Sequence, residues 1–375
     1  MSQSADVSVS EETARDLLVD LVDTPSPTGE EDDCADLLGA FFAERGREVW
    51  RDEAGNVRAP ADDSVLLTSH IDTVPGDIPV RIEDDADGES DEDESDAATL
   101  WGRGSVDAKG PLAAMAAAAV ETGVSFVGVV GEETDSRGAR FLVEDREAPD
   151  AVVNGEPSGW DGVTLGYRGF LAGEYGVSTE SAHTSRPGAN AIQEAMAWWR
   201  AVEEAFSSAS ADEDVQEAEN ADDGEPAVFE RVTAKPVEFS GGVADDGLSV
   251  TATVEAQFRI PPGETAAGVR ETVEAELESG AIEWDEPIPP VMETPRSEVA
   301  RAFRTAIRRV GGDPRLTRKT GTSDMNLYAA AWDCPMATYG PGDSELDHAP
   351  NEHLDLGDFD RAVAVLERVS ESLQS

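Results

Sequence analysis

Four short apolar runs set the framework that this chain can adopt. They are Val65-Leu66-Leu67, Phe126-Val127-Gly128-Val129-Val130, Ala151-Val152-Val153 and Met336-Ala337-Thr338-Tyr339. Uninterrupted apolar runs of this length read as strands buried on both faces, as in a sheet covered by helices. Helical stretches alternate with them. One starts near Ser8 with Glu11 as its capping-box partner, a second is opened by Thr28 and Glu31 and closes near Gly46, and an alanine-rich third is begun by Pro111. This alternation predicts an α/β domain.

From about Gly166 to Asp285 the texture changes. The alternating stretch from Ser249 to Arg259 predicts half-buried antiparallel strands, with helices near 189–204 and 264–278. The α/β domain is therefore expected to be discontinuous, residues 1–165 plus 286–375, with an α+β domain inserted at 166–285.

Charge narrows the function classes. The chain carries 80 acidic against 28 basic residues, a formal net charge of −52. Such a surface repels itself at low salt, and at about 1 M salt the screening length falls to roughly 3 Å. The composition points to a cytosolic protein of a salt-saturated cell and away from nucleic-acid binding. Cys34 and Cys334 are too few for a disulfide framework or a four-cysteine zinc site. No apolar stretch approaches the length of a membrane span and no basic-then-apolar leader pattern opens the chain, so a cytoplasmic location is expected. The acidic stretches 84–96 and 207–223 read as solvated surface insertions.

Against this background the four histidines are informative: His70, His183, His348 and His353. His70 and Asp72 follow the first apolar run, Glu132 and Glu133 the second, and Glu156 the third. His348 comes shortly after the fourth, and Asp107 precedes the alanine-rich helix. Sheets of this kind bind ligands beyond the carboxyl ends of their strands, so these residues can converge. Two imidazoles with several carboxylates suit a pair of zinc-like ions better than magnesium or calcium. His70 and Asp72, two apart in extended chain, point to one side, where an aspartate can hold the second ring nitrogen of a ligating histidine. Adjacent Glu132 and Glu133 point apart, so one can bind metal while the other acts as a general base. Asp107 could bridge two ions. His353, in a loop after Glu352, reads as structural.

These segments carry a resemblance. The pieces are Ser69-His70-Ile71-Asp72-Thr73-Val74-Pro75, Gly102-Arg103-Gly104-Ser105-Val106-Asp107-Ala108-Lys109-Gly110, Gly131-Glu132-Glu133, Gly155-Glu156-Pro157-Ser158 and Asp347-His348-Ala349-Pro350. Together they resemble the dizinc acylase and peptidase family that includes acetylornithine deacetylase, succinyl-diaminopimelate desuccinylase and carboxypeptidase G. The resemblance implies two divalent ions per subunit, Zn2+ or Co2+. His70 and Glu156 would hold one, Glu133 and His348 the other, and Asp107 both. It implies that Asp72 supports His70, that Glu132 is the general base acting on a water shared by the ions, and that the peptide bond Asp107-Ala108 is cis. The inserted domain would be the family's dimerisation lid, making a homodimer in which His183 reaches the partner subunit's site and stabilises the oxyanion.

Within the family the nearest resemblance is to hydrolases that release lysine or ornithine from the glutamate side chain of an amino-group carrier protein, in lysine and arginine biosynthesis. Val106 to Leu112, Gly166-Tyr167-Arg168-Gly169 and Lys319 to Asn326 carry it. Arg259, Thr322 and Ser323 become candidates for substrate binding, Arg259 for the substrate α-carboxylate, with a surface salt bridge as the alternative for Arg259. The densest basic stretch, Arg308, Arg309, Arg315, Arg318 and Lys319, is a candidate for receiving the acidic carrier, although a helix C-terminus favouring cations accounts equally well for Arg308 and Arg309. The alternatives are deacylation of a free N-acyl amino acid (acetylornithine or succinyl-diaminopimelate), dipeptide hydrolysis, a non-catalytic metal-binding relative and an acidic scaffold. One methylene is worth only about 1–3 kcal/mol in a pocket, so lysine and ornithine are not distinguished.

Overall fold

The computed structural model describes residues 8–84, 98–183, 185, 187–208, 228–245 and 247–375. The acidic stretches 84–96 and 207–223 lie outside them except for Asp84, which ends the strand Arg81–Asp84, and Ser207 and Ser208, which end the helix Ala191–Ser208. The chain divides into two compact units: residues 1–165, 293–317 and 323–375, and residues 166–292 with 318–322.

The first unit is built on a mixed sheet. Its strands run in the order Trp50–Arg51, Val57–Ala59, Val124–Val129, Asp62–His70, Val152–Gly155, Met336–Thr338 and Gly162–Tyr167. The four apolar runs of the sequence form its parallel centre. Val124–Val129 is buried at every position, so both faces of that strand are covered. Register places the strand ends level: His70 lies opposite Val129, Ser69 opposite Gly155 and Thr338 opposite Asn154. The loops that continue from these residues all leave from one edge of the sheet.

The alanine-rich helix, Lys109–Thr122, is buried from Lys109 to Val120. It packs on the strand Asp62–His70 and against the helices Glu11–Asp23 and Leu356–Leu373. Alanine allows this helix to be covered on all sides. The first helix begins at Glu11, not near Ser8; Ser10 is its cap, its hydroxyl accepting from the Thr13 amide. The second spans Asp32–Glu44; its cap position falls on Glu31, which makes no side-chain cap bond, and Thr28, three residues earlier, donates its hydroxyl to Asp72 at 2.7 Å.

The second unit is an antiparallel sheet ordered Thr233–Val243, Ser249–Ile260, Gly169–Glu180 and Ala281–Trp284, with the helices Ala191–Ser208 and Ala266–Ala275. Burial alternates along Ser249–Ile260 as its sequence predicts. Leu171, Tyr175, Trp198, Val254 and Phe258 lie in its core. The fold is thus α/β, with an α+β unit inserted in the chain. Among the described residues, no helix is long and apolar enough to cross a membrane.

Candidate metal centre

The level strand ends bring six candidate residues of the first unit together. His70, the last residue of its strand, is buried, and its Nε2 lies 3.1 Å from Asp107 Oδ1 and 4.0 Å from Glu156 Oε1. His348 Nε2 lies 3.2 Å from Asp107 Oδ2 and 3.0 Å from Glu133 Oε2. The two oxygens of Asp107 therefore face one imidazole each. Glu132 joins His70 and Glu156 in a group whose donor atoms lie within 4.8 Å of one another, and His70, Asp107 and Glu133 form a second such group. His348 is half exposed, at 52%, so the centre opens to solvent on that side. Its backbone is left-handed, φ 59°, a conformation uncommon for a residue with a β-carbon. The Asp107–Ala108 bond is cis.

The turn after Val124–Val129 is made by Gly131 at φ 78°. Asp72 anchors the two glutamates beyond this turn. It is fully buried, and its carboxylate accepts from the amides of Glu132 at 3.1 Å and Glu133 at 3.2 Å as well as from Thr28. These donors occupy the carboxylate, so it does not hold the His70 ring as the spacing predicts. His70 Nδ1 lies 2.9 Å from the Asp72 main-chain carbonyl but 3.7 Å from the Asp72 side chain. The carbonyl fixes the tautomer and leaves Nε2 facing the cluster.

Two residues that the motif pattern does not single out support the site. Glu352 is fully buried. Its Oε1 accepts from the amides of Val106 at 2.8 Å and Asp107 at 3.0 Å, and its Oε2 from Arg103 Nη1 at 2.8 Å and the Gly104 amide at 3.1 Å. The loop that presents Asp107 is thus wrapped around one carboxylate. Asp324, first in the helix Asp324–Ala331, is also buried, and burial pushes its carboxyl up to about 7 against the hydrogen bond from Ser136. Both stand within or beside the family-like segments; the sequence holds no sign of their burial.

His353 stacks on Trp101 with ring centres 4.3 Å apart, and its Nδ1 bonds to Asn351 O at 2.7 Å. Ser323 caps the Asp324 helix, its amide donating to Asn326 Oδ1 at 3.0 Å. His183, Arg259 and Thr322 belong to the second unit. His183 is exposed and its ring nitrogen lies 2.8 Å from Ser185 Oγ. Arg259 lies over the Phe170 ring at 4.7 Å, with Nη1 3.4 Å from Thr322 Oγ1.

The electrostatics call for positive charge. Burial opposes a charged His70, but the hydrogen bond to Asp107 and the field of Glu156 outweigh it and raise its pKa well above the ordinary value. Hydrogen bonds to Asp107 and then Glu133 push His348 up to about 10. Burial, then the neighbouring Glu156, raises Glu132 well above the carboxylate range. The site gathers protons where cations would relieve the same repulsion. Among the described residues Glu133 Oε1 is buried without a hydrogen-bond partner. Imidazole and carboxylate donors, an open side and an unpartnered oxygen fit divalent ions of the zinc type.

Comparison with known proteins agrees. A family model described as "Peptidase family M20/M25/M40" matches residues 66–372. The chain is 39% identical over 369 residues to the "[LysW]-lysine hydrolase" of Deinococcus radiodurans, covering 95% of each chain. It is 28% identical to the "[LysW]-lysine/[LysW]-ornithine hydrolase" of Sulfurisphaera tokodaii, covering 92% of this chain and 91% of the relative. Among solved structures, the M20 family metallo-carboxypeptidase Sso-CP2 from Sulfolobus solfataricus superposes with a TM-score of 0.71 at 19% identity, covering 96% of this chain and 99% of that one. The chain belongs to the peptidase family M20/M25/M40, and it is a metal-dependent hydrolase.

Proposed function

We propose that this hydrolase releases lysine or ornithine from the glutamate side chain of an amino-group carrier protein. One observation carries the reading: a relative named for this reaction matches nearly the full length of the chain at 39% identity. The gathering of Glu132 with the imidazole and carboxylate donors supports amide hydrolysis as the chemistry.

In this reading His70 and Glu156 would hold one divalent ion, zinc or cobalt, and Glu133 and His348 a second, with Asp107 between them. Ions bound there supply Lewis acidity and make water acidic enough to be deprotonated near neutral pH. Glu132 takes the proton of the attacking water and returns it to the leaving α-amine. Its burial, which favours the neutral acid, suits the return step. Asp72 keeps the Glu132–Glu133 turn in place through their amides. Arg259, with Thr322 beside it and Ser323 next in the chain, receives the substrate carboxylate. His183 acts in the partner copy of a homodimer, donating a hydrogen bond to the developing oxyanion. The strand Thr233–Val243, an edge strand among the described residues, supports such pairing, with Val237 50% and Phe239 43% exposed.

The test is to load the enzyme with zinc or cobalt and supply the lysine- or ornithine-bearing carrier, acetylornithine and succinyl-diaminopimelate separately. Preferential cleavage of the carrier amide is expected. Turnover of only the free acyl amino acids would overturn the substrate. Glu132→Gln should keep its metal and lose about 10²–10⁴-fold in turnover; normal turnover would remove the mechanism.

A further inference from the structure

The helix Glu298–Val310 is basic on its outer side in a chain otherwise dominated by acids. Val299, Ala302, Phe303, Ala306 and Ile307 face the core. Arg301, Arg308 and Arg309 are exposed and Arg304 is half-buried. Arg301, Arg304 and Arg308 are spaced i, i+3 and i+7, which makes a single stripe. Among the described residues none of these four forms an ion pair. Arg45, Arg47, Arg259 and Arg270 lack one too, but each of them is held against carbonyls or an aromatic ring. Four guanidiniums clustered on one helix without a carboxylate among the described residues, Arg308 donating only to the Arg304 carbonyl at 3.3 Å, stand out in a chain with 80 acidic side chains. From Arg296 to Lys319 there are eight basic residues and two acidic ones, Glu298 and Asp313.

The helix dipole accounts for Arg308 and Arg309 in the last turn. It does not account for Arg301, one turn from the N-terminus, where a cation is disfavoured. The chain beyond the helix meets the segment that follows Glu156. Beyond the helix Gly312 lies against the Trp160 ring, and Arg315 pairs with Asp161 at 2.7 Å. Trp160 and Asp161 stand in the segment that continues from Glu156.

We infer that the face of Arg301, Arg304, Arg308 and Arg309 docks an acidic polypeptide, holding it beside the segment that leaves Glu156. On the proposed function, on which the identity of this partner rests, it is the carrier protein. At about 1 M salt long-range repulsion between two acidic proteins is screened, and contact-range guanidinium–carboxylate pairs persist. Such pairs give register and selectivity, which a broadly acidic surface lacks.

The experiment compares the metal-loaded wild type with the triple variant Arg301→Gln, Arg304→Gln and Arg308→Gln, in about 1 M KCl. Urea midpoints first establish that the variant is as stable as the wild type, as expected for exposed positions. Binding of a fluorescein-labelled oligoglutamate peptide is read by anisotropy. Hydrolysis is measured on the loaded carrier and on a short capped γ-glutamyl-lysine amide. Peptide Kd and carrier KM are expected to rise about tenfold, the combined effect of three exposed charge pairs, with kcat and the KM for the short amide unchanged. Equal peptide affinity in both proteins overturns the docking face. A wild type that binds oligoglutamate through these arginines but leaves the loaded carrier uncut overturns the proposed substrate and leaves the docking face standing.

Discussion

Replacing Glu352 by glutamine tests whether one buried carboxylate organises the Asp107 loop. Four donors converge on it: Arg103 Nη1 and the amides of Gly104, Val106 and Asp107, at 2.8–3.1 Å. The amide group of glutamine keeps one acceptor and turns the other into a donor. Either Val106 and Asp107 or Arg103 and Gly104 then face an N–H group. Removing one partner of a buried ion pair costs about 3–5 kcal/mol, and each orphaned buried donor about 1–3 kcal/mol. Arg103 keeps 14% exposure, and water can reclaim part of the loss. Destabilisation of about 4 kcal/mol is therefore expected. Because the amide of Asp107 itself is among the donors, metal affinity should fall about 10–100-fold, as when outer-shell partners are lost elsewhere. Urea unfolding of the metal-free protein gives the first quantity and calorimetric zinc titration the second. Arg103→Met separates the two roles: it should lower stability yet spare metal affinity more than Glu352→Gln, since the three amides keep their acceptor. A Glu352→Gln protein within about 1 kcal/mol of wild type, with unchanged zinc affinity, would refute the reasoning.

Other consequences are measurable on the same protein. In metal-free protein His348 is raised to about 10, above its unfolded value, so its ion pairs stabilise the fold fully below about pH 6.5 and this contribution disappears as pH rises through about 10. Loading zinc near pH 7.5 should release protons, and His348→Gln should abolish part of that release; an identical proton count in both proteins would contradict it. Asp324 acts in the same direction in a lower window: its folded carboxyl keeps its proton up to about 7, so between about pH 4 and 7 the metal-free protein should lose stability as pH rises. Asp324→Asn should flatten that slope in urea midpoints, and equal slopes would remove the assignment. Gly155→Ala would bring a β-carbon to 2.5 Å from Ser69 Cβ and 2.9 Å from Met115 Sδ. It should cost about 1–3 kcal/mol and lower metal content through its neighbour Glu156; a neutral result in both would show that the sheet yields there.

The fold is legible because a parallel centre needs apolar runs, and the four runs stand out even in so acidic a chain. The ligand-like residues are legible for the same reason, since His70, Glu132, Glu133 and Glu156 each follow a strand whose end is level with its neighbours. Helix starts are less so. Several of the first residues can cap, and tertiary structure selects Ser10 for the first helix, while Thr28 bonds to Asp72. The partner of the His70 ring escapes the sequence at the level of atoms: spacing places Asp72 correctly but does not say whether its carbonyl or its carboxylate turns inward.

Glu352 and Asp324 show where sequence information gives out. Among 80 acidic residues an individual carboxylate is a poor signal, because only a few of the described ones are buried and these look the same in the chain. What distinguishes them is desolvation, and desolvation depends on the packing of distant segments: Glu352 meets residues about 245 positions away. Rarity reverses the logic for cations and imidazoles. With four histidines and three lysines, His70 and His348 stand out from the sequence alone, and so does the basic stretch from Arg308 to Lys319. The imidazoles also have a partner that the sequence cannot show, the Asp107 carboxylate between His70 and His348; for the arginine stripe, the inferred acidic partner would play that part.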